Sequence, residues 1–222
     1  TVPEDRDRRI FPGVYAPVMV MEQGRRVIKP MRYQCRPVGK PAFYDPIDEH
    51  GMSQLMKHYM AGQLAYARDM TVFMAPYVNS YKRYTIGLFA PTKAVWSADN
   101  RTAGFRVCGL HSKAIRVECR IPGSDVNPYL VCAALLAAGL DGIEQKMELE
   151  PEMKGDMYHA EGVRQIPHNL RDAAALLKGS TMLRRAFGDD VVDHYHHNAQ
   201  WEISETDRVV TDFELQRLLE RA

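Results

Sequence analysis

The chain has 222 residues, 45% of them apolar, enough for a substantial core in one large domain or two small ones. Its net charge is +1, with 29 basic and 28 acidic residues, so no global field draws it to nucleic acid or an anionic membrane. The longest apolar run, "YLVCAALLAAGL", falls short of the roughly 20 residues of a bilayer span. The first residues, "TVPEDRDRR", are charged and read as no signal peptide; a Thr in first place leaves room for an upstream piece.

Residues 10–42 carry β-branched and aromatic residues with frequent Pro, and predict a hairpin, Val14–Met21 against Arg26–Tyr33, around a Gln-Gly turn. After the polar "FYDPIDEHGMS", Ser53 is placed to cap a helix carrying Leu55, Met56, Tyr59, Met60, Gln63, Leu64 and Ala67 at helical spacing. Met52, Met56 and Met60 read as packing residues. Residues 76–91 predict a long loop, of the kind that is functional or disordered. Strands are predicted in "TAGFRVCG" and "AIRVECRI". Asn127 then suits an N-cap and Pro128 the first turn of a helix that is apolar nearly all round, hence central and buried. Two glycines in that helix predict close helix packing.

The last third reads as helical and amphipathic. A helix starts at Asn169, a long one covers "DDVVDHYHHNAQWEISETDRVV", and "TDFELQRLLERA" opens with a capping box. The fold class is α+β, few antiparallel strands plus helices, with a helical C-terminal third. The four cysteines (Cys35, Cys108, Cys119 and Cys132) form no CxxC pair and read as buried free thiols of a reducing cytoplasm.

The chemistry concentrates between Lys82 and Arg120. Lys82, Arg83, Arg101, Arg106, Lys113, Arg116 and Arg120 all fall there. Guanidinium forks match carboxylate and phosphate oxygens, so the set suits a polyanionic ligand. In "AIRVECRIPG", strand alternation puts Ile115, Val117, Cys119 and Ile121 on one face and Arg116, Glu118 and Arg120 on the other. Glu118 either neutralises its neighbours or holds a divalent cation that bridges phosphates. The plain alternative is a solvated Arg–Glu–Arg ladder, each pair contributing under about 1 kcal/mol. His194 and His197 share a helix face, but a zinc site would need a third and fourth ligand beside them, and they read as a solvated or partly buried pair; Asp99 and Asn100 read as turn residues.

The succession "NSYKRY…APTKAVWSADNRTAGFRV…AIRVECRIPGSDVNPYLVCAALLAAGLDGI" resembles the C-terminal half of the glutamine synthetase catalytic domain, from about Phe43 to the C-terminus. The resemblance implies an incomplete catalytic domain of that family over residues 43–222. It also implies ATP-dependent ligation of glutamate with ammonia or an amine through γ-glutamyl phosphate. Arg83 and Arg120 would hold the substrate carboxylate and Arg101 would stabilise the transferring phosphoryl group. Arg106, Lys113 and Arg116 would contact ATP, and Glu118 would ligate Mg²⁺ or Mn²⁺. Complete members are cytoplasmic homo-oligomers sharing active sites between neighbours; neither nucleic acid nor membrane is expected as a partner.

Departures from the family pattern accompany it. Phe89 stands in "TIGLFAP" where the family carries an acidic residue that guards the intermediate and helps bind ammonium, which points toward the amine-using branch. The family's other metal ligands, an E-x-E pair, two glutamates and an H-x-H segment, do not occur before the Ser53 helix, and the H-x-H at His194 and His196 stands in a different context. The chain alone is therefore expected to be nearly inactive, and an anion-binding pseudoenzyme is the alternative. Tyr158 falls where some bacterial members carry an adenylylated tyrosine. Residues 9–42 resemble an internal stretch of the SOS-response-associated peptidase family, without its catalytic residues. They suggest a separate unit over residues 1–42, joined near "GKPAFYD".

Overall fold

The computed structural model describes residues 15–22, 25–32, 41–85 and 90–219. The predicted hairpin is present, β1 (Tyr15–Glu22) antiparallel to β2 (Arg25–Arg32), with Glu22 opposite Arg25. Residues 9–14, 23–24 and 33–40, Cys35 among them, lie outside the described residues, and nothing here bears out the likeness of residues 9–42 to the peptidase family.

Helix α1 (Gln54–Ala65) starts where Ser53 predicts: its Oγ accepts from Met56 N (3.2 Å) and donates to Ala42 O (2.6 Å). Met52, Met56 and Met60 are buried, whereas Leu55 is 38% exposed and belongs to the outer face. A short helix α2 (Thr71–Met74) follows. The predicted loop after it contains a 3-10 helix, Val78–Arg83, while the Phe89 position lies outside the described residues.

The sheet has three strands, β3 (Trp96–Ala98), β4 (Phe105–Cys108) and β5 (Arg116–Cys119), in the order β3-β4-β5. β4 and β5 pair antiparallel, as expected, but β3 runs parallel to β4, which corrects the all-antiparallel expectation. The reason is local: Asp99 turns the chain with φ 47°, and the loop to Gly104 curls back so that β4 sets out in the direction of β3. Gly104 packs so tightly on the Lys93 carbonyl that a Cβ would overlap it.

Helix α3 (Pro128–Glu144) is capped by Asn127, whose Oδ1 accepts from Tyr129 N (3.0 Å) and Leu130 N (3.4 Å). It is less enclosed than its sequence predicts. Val131, Ala134, Leu135 and Ala138 are buried, but Tyr129 is 85% exposed. The glycine expectation holds. A Cβ on Gly142 would overlap the His58 carbonyl and the Gly62 backbone, and one on Gly139 would overlap the Tyr59 ring. Asp141, buried beside this seam, accepts from Tyr66 Oη (2.7 Å) and Gln145 Nε2 (2.6 Å) and pairs with Arg185. Burial first, then the Asp141 charge, raises the Tyr66 phenol.

Helices α4 (Leu170–Gly179), α5 (Thr181–Phe187) and α6 (Asp189–Asp207) form the C-terminal third and place Leu177, Leu183, Val192 and Ile203 in the core. Ser180 closes α4 and caps α5, and Gly188 (φ 85°) separates α5 from α6. Helix α7 (Asp212–Leu219) has its capping box: Thr211 N donates to Glu214 Oε2 (2.8 Å) and Glu214 N to Thr211 Oγ1 (3.3 Å). Among the described residues no helix is long and apolar enough to cross a membrane.

The glycine seam yields a paired prediction. Gly142→Ala forces backbone apart and is expected to destabilise by about 1–3 kcal/mol or more. Gly179→Ala meets nothing within 4 Å and is expected to be neutral or stabilising by up to about 1 kcal/mol. Urea unfolding of the two variants checks the contrast.

Candidate active site

The β4–β5 register sets Arg106 directly opposite Glu118 and Val107 opposite Val117. Pleat alternation then buries Phe105, Val107, Val117 and Ile121 and turns Arg106, Arg116, Glu118 and Arg120 to the other face, all of them half-buried. Both carboxylate oxygens of Glu118 are taken. Arg106 Nη1 lies 3.0 Å from Oε2 and Arg120 Nη1 lies 2.9 Å from Oε1. The Glu118 side chain is 36% exposed, so solvent weakens each pair.

Arg106 is held from a second side by Asp99, whose Oδ1 accepts from Nε (3.1 Å) and from Nη2. Although burial lowers it, Asp99 and Glu118 together raise the Arg106 guanidinium further, so it stays charged. Arg120 Nε donates to Arg101 O (3.0 Å), and Arg120 N to Gly104 O (2.8 Å). That contact ties the Arg101 turn to β5 while leaving the Arg101 side chain exposed.

The other predicted residues lie at the two ends of this row. Arg83 spends its guanidinium on main-chain carbonyls, Nη1 to Ile121 O (2.5 Å) and Nη2 to Pro122 O (3.1 Å), and lies 4.9 Å over the Tyr84 ring. Arg116 Nη1 donates to Ala114 O (3.3 Å), and Lys113 is exposed near the far end of the hairpin. Lys82 is exposed on the 3-10 helix. The structure thus joins Arg106, Glu118, Arg120 and the Arg101 backbone in one network, with Arg83 and Arg116 flanking it.

Asp99 reads from the sequence as a turn residue alone. It makes the turn and also orients Arg106; nothing in the linear sequence marks that second task except a carboxylate near a strand arginine. Cys108 Sγ lies 3.8 Å from Glu118 Oε2, and Cys108, Cys119 and Cys132 are free thiols. Burial pushes the Cys119 thiol up to about 12 and raises Cys108 as well, the Glu118 charge adding to both.

Tyr158 sits in a turn fixed by Asp156, which accepts from Tyr158 N (2.9 Å), and strapped to the Arg101 turn by Asn100 Nδ2 donating to Gly155 O (2.7 Å). Its hydroxyl is buried and has no hydrogen-bond partner among the described residues, so a modifying enzyme has no access to it in this conformation. His194 and His197 are exposed on α6, with His194 Nε2 3.4 Å from Asn198 Nδ2.

A divalent cation needs several oxygen or nitrogen ligands together. Among the described residues no group of three His, Cys, Asp or Glu side chains could hold one, and each Glu118 oxygen already pairs with an arginine. The described residues do not fit a metal centre on their own. They fit an anion.

The profile described as "Glutamine synthetase, catalytic domain" matches residues 35–218. The chain belongs to the glutamine synthetase catalytic-domain family. It is 49% identical over 171 residues to a gamma-glutamylethanolamide synthetase of Streptomyces coelicolor, covering 77% of this chain and 37% of that protein. It is 38% identical over 188 residues to a glutamine synthetase of Thermus thermophilus, covering 82% and 42%. Among solved structures, ligand-free GmaS superimposes with a TM-score of 0.71 at 30% identity, covering 80% of this chain and 41% of GmaS. The chain spans about two-fifths of the length of these relatives.

Two tests follow from the geometry. Glu118→Gln releases Arg106 and Arg120, so inorganic pyrophosphate is expected to bind about three- to tenfold tighter in metal-free buffer, read by calorimetry. The thiols give a pH test. A raised pKa keeps Cys108 and Cys119 protonated at pH 8, so iodoacetamide is expected to leave both unmodified in the folded chain and to label them once urea unfolds it, as peptide mass mapping shows.

Proposed function

We propose that this chain is the C-terminal catalytic part of a ligase that joins glutamate to ammonia or an amine at the expense of ATP, through γ-glutamyl phosphate. The Arg106–Glu118–Arg120 network on one sheet face, with Arg101 beside it, is the observation that carries the reading. Arg83 and Arg120 serve the glutamate carboxylate through their charge and the N–H groups left over from their main-chain and Glu118 contacts. Arg101, exposed and held by its backbone, reaches the transferring phosphoryl group and offsets the charge that spreads over its oxygens. Arg106, Lys113 and Arg116 line the nucleotide side.

In this assignment Glu118 spaces the two arginines. Carrying one negative charge between them, it allows their approach without mutual repulsion and keeps each fork aimed across the sheet face. Glu118 would also be one ligand of Mg²⁺ or Mn²⁺, but the described residues supply no complete set, so no step is assigned to a metal. The amine branch is supported by the kinship with the Streptomyces synthetase and by Phe89. Residues 1–42 as a distinct unit, a cytoplasmic location and homo-oligomeric assembly belong to the same proposal.

A second reading, an anion-binding module without chemistry, is favoured by the pairing of Glu118 with two arginines. It predicts ATP binding that Arg116→Ala weakens and that EDTA leaves unchanged. The ligase reading predicts that Mg²⁺ strengthens ATP binding and that Arg120→Ala weakens glutamate binding by about 10- to 100-fold, the loss of a charge-assisted pair. Calorimetry with and without Mg²⁺ separates the two. In either case the 222-residue chain alone is expected to form little γ-glutamyl hydroxamate from glutamate, ATP and hydroxylamine; robust formation overturns the incomplete-site view.

A further inference from the structure

A second recess shares no lining residue with the charged sheet face. It is a cleft of about 340 Å³ between α2, α6 and the loop into α3, a volume suited to a small molecule. Its apolar wall is Phe73 and Tyr195, edge-to-face with ring centroids 5.4 Å apart. Tyr77 and Trp201, 49% and 60% exposed, also line it. Two carboxylates, Asp125 and Glu202, belong to its lining, and no Lys, Arg or His does. Asp125 already accepts from Ser80 Oγ (2.5 Å). The Glu202 carboxylate has no ion pair or hydrogen bond among the described residues.

The N-terminus of α3 borders the cleft and would by itself favour an anion. Its donors are spent: Pro128 has no N–H, Tyr129 and Leu130 donate to Asn127 Oδ1, and Val131 donates to Asn127 O (3.1 Å). What remains is aromatic surface beside unneutralised negative charge. That combination attracts an organic cation, through the ring quadrupoles and the carboxylate together. We propose that this cleft binds a small organic ammonium ion, a primary amine with an aryl or alkyl body, at a site separate from the ligase face. The inference does not depend on the ligase reading.

Trp201 provides the signal for the test, because Trp96 is buried with its Nε1 held by Glu150 O (2.7 Å). Titration with 2-phenylethylammonium at pH 7 is expected to change tryptophan emission saturably, and Trp201→Phe to abolish the change. Glu202→Gln, a surface substitution on α6, is expected to weaken binding fivefold or more, and the neutral 2-phenylethanol to bind at least fivefold more weakly to the unaltered chain. Arg120→Ala, which tests the ligase face, is expected to leave the titration unchanged. Equal binding of the alcohol, or no effect of Glu202→Gln, overturns the proposal. So does loss of binding in Arg120→Ala, which places the amine in the ligase site, and so does emission that shifts with protein concentration alone, which gives the cleft to a second copy.

Discussion

The antiparallel register of β4 and β5 is the constraint on which the charged face depends. Side chains alternate across a strand, so a slip of one residue would turn Arg106 and Glu118 into the core and bring Val107 and Val117 out. Burying those charges unpaired would cost several kcal/mol each. The apolar faces of Phe105, Val107, Val117 and Ile121 therefore fix the register, and the register then fixes which guanidinium meets which carboxylate oxygen. Packing on one side of the sheet determines electrostatics on the other.

That division explains what could be read from the chain. The alternation in "AIRVECRIPG" is a local property, and the row of Arg116, Glu118 and Arg120 stands where it indicates. Caps are local too: Ser53, Asn127, Asn169 and Thr211 all start helices as their side chains require. Tertiary partners are different. That Asp99 grips Arg106 follows from a parallel β3–β4 pairing which three-residue strands do not announce. Helix α3 is less enclosed than its composition implies, because composition says how apolar a helix is and only its neighbours say which side is covered. Arg83 reads as a free ligand group in sequence, yet in the fold it braces the carbonyls after β5.

The charged face has the character of one wall of a site. It supplies fixed cations with Glu118 between two of them and Asp99 on one, but not the oxygen cluster a divalent ion demands among the described residues. This matches a chain that spans about two-fifths of its relatives. Preorganised guanidiniums contribute most where they need not rearrange. The network around Glu118, with Arg106 also held by Asp99 and Arg120 by the Arg101 carbonyl, meets that requirement from within this stretch of sequence.

The seam between α1 and α3 has a mechanical consequence. Where Gly62 and Gly142 bring main chain against main chain, no side chain lies between to change rotamer and absorb a displacement. Sliding one helix along the other at this seam would have to move backbone, so the spacing of α1 and α3 there is set by the chain itself and not by a side chain that can turn aside.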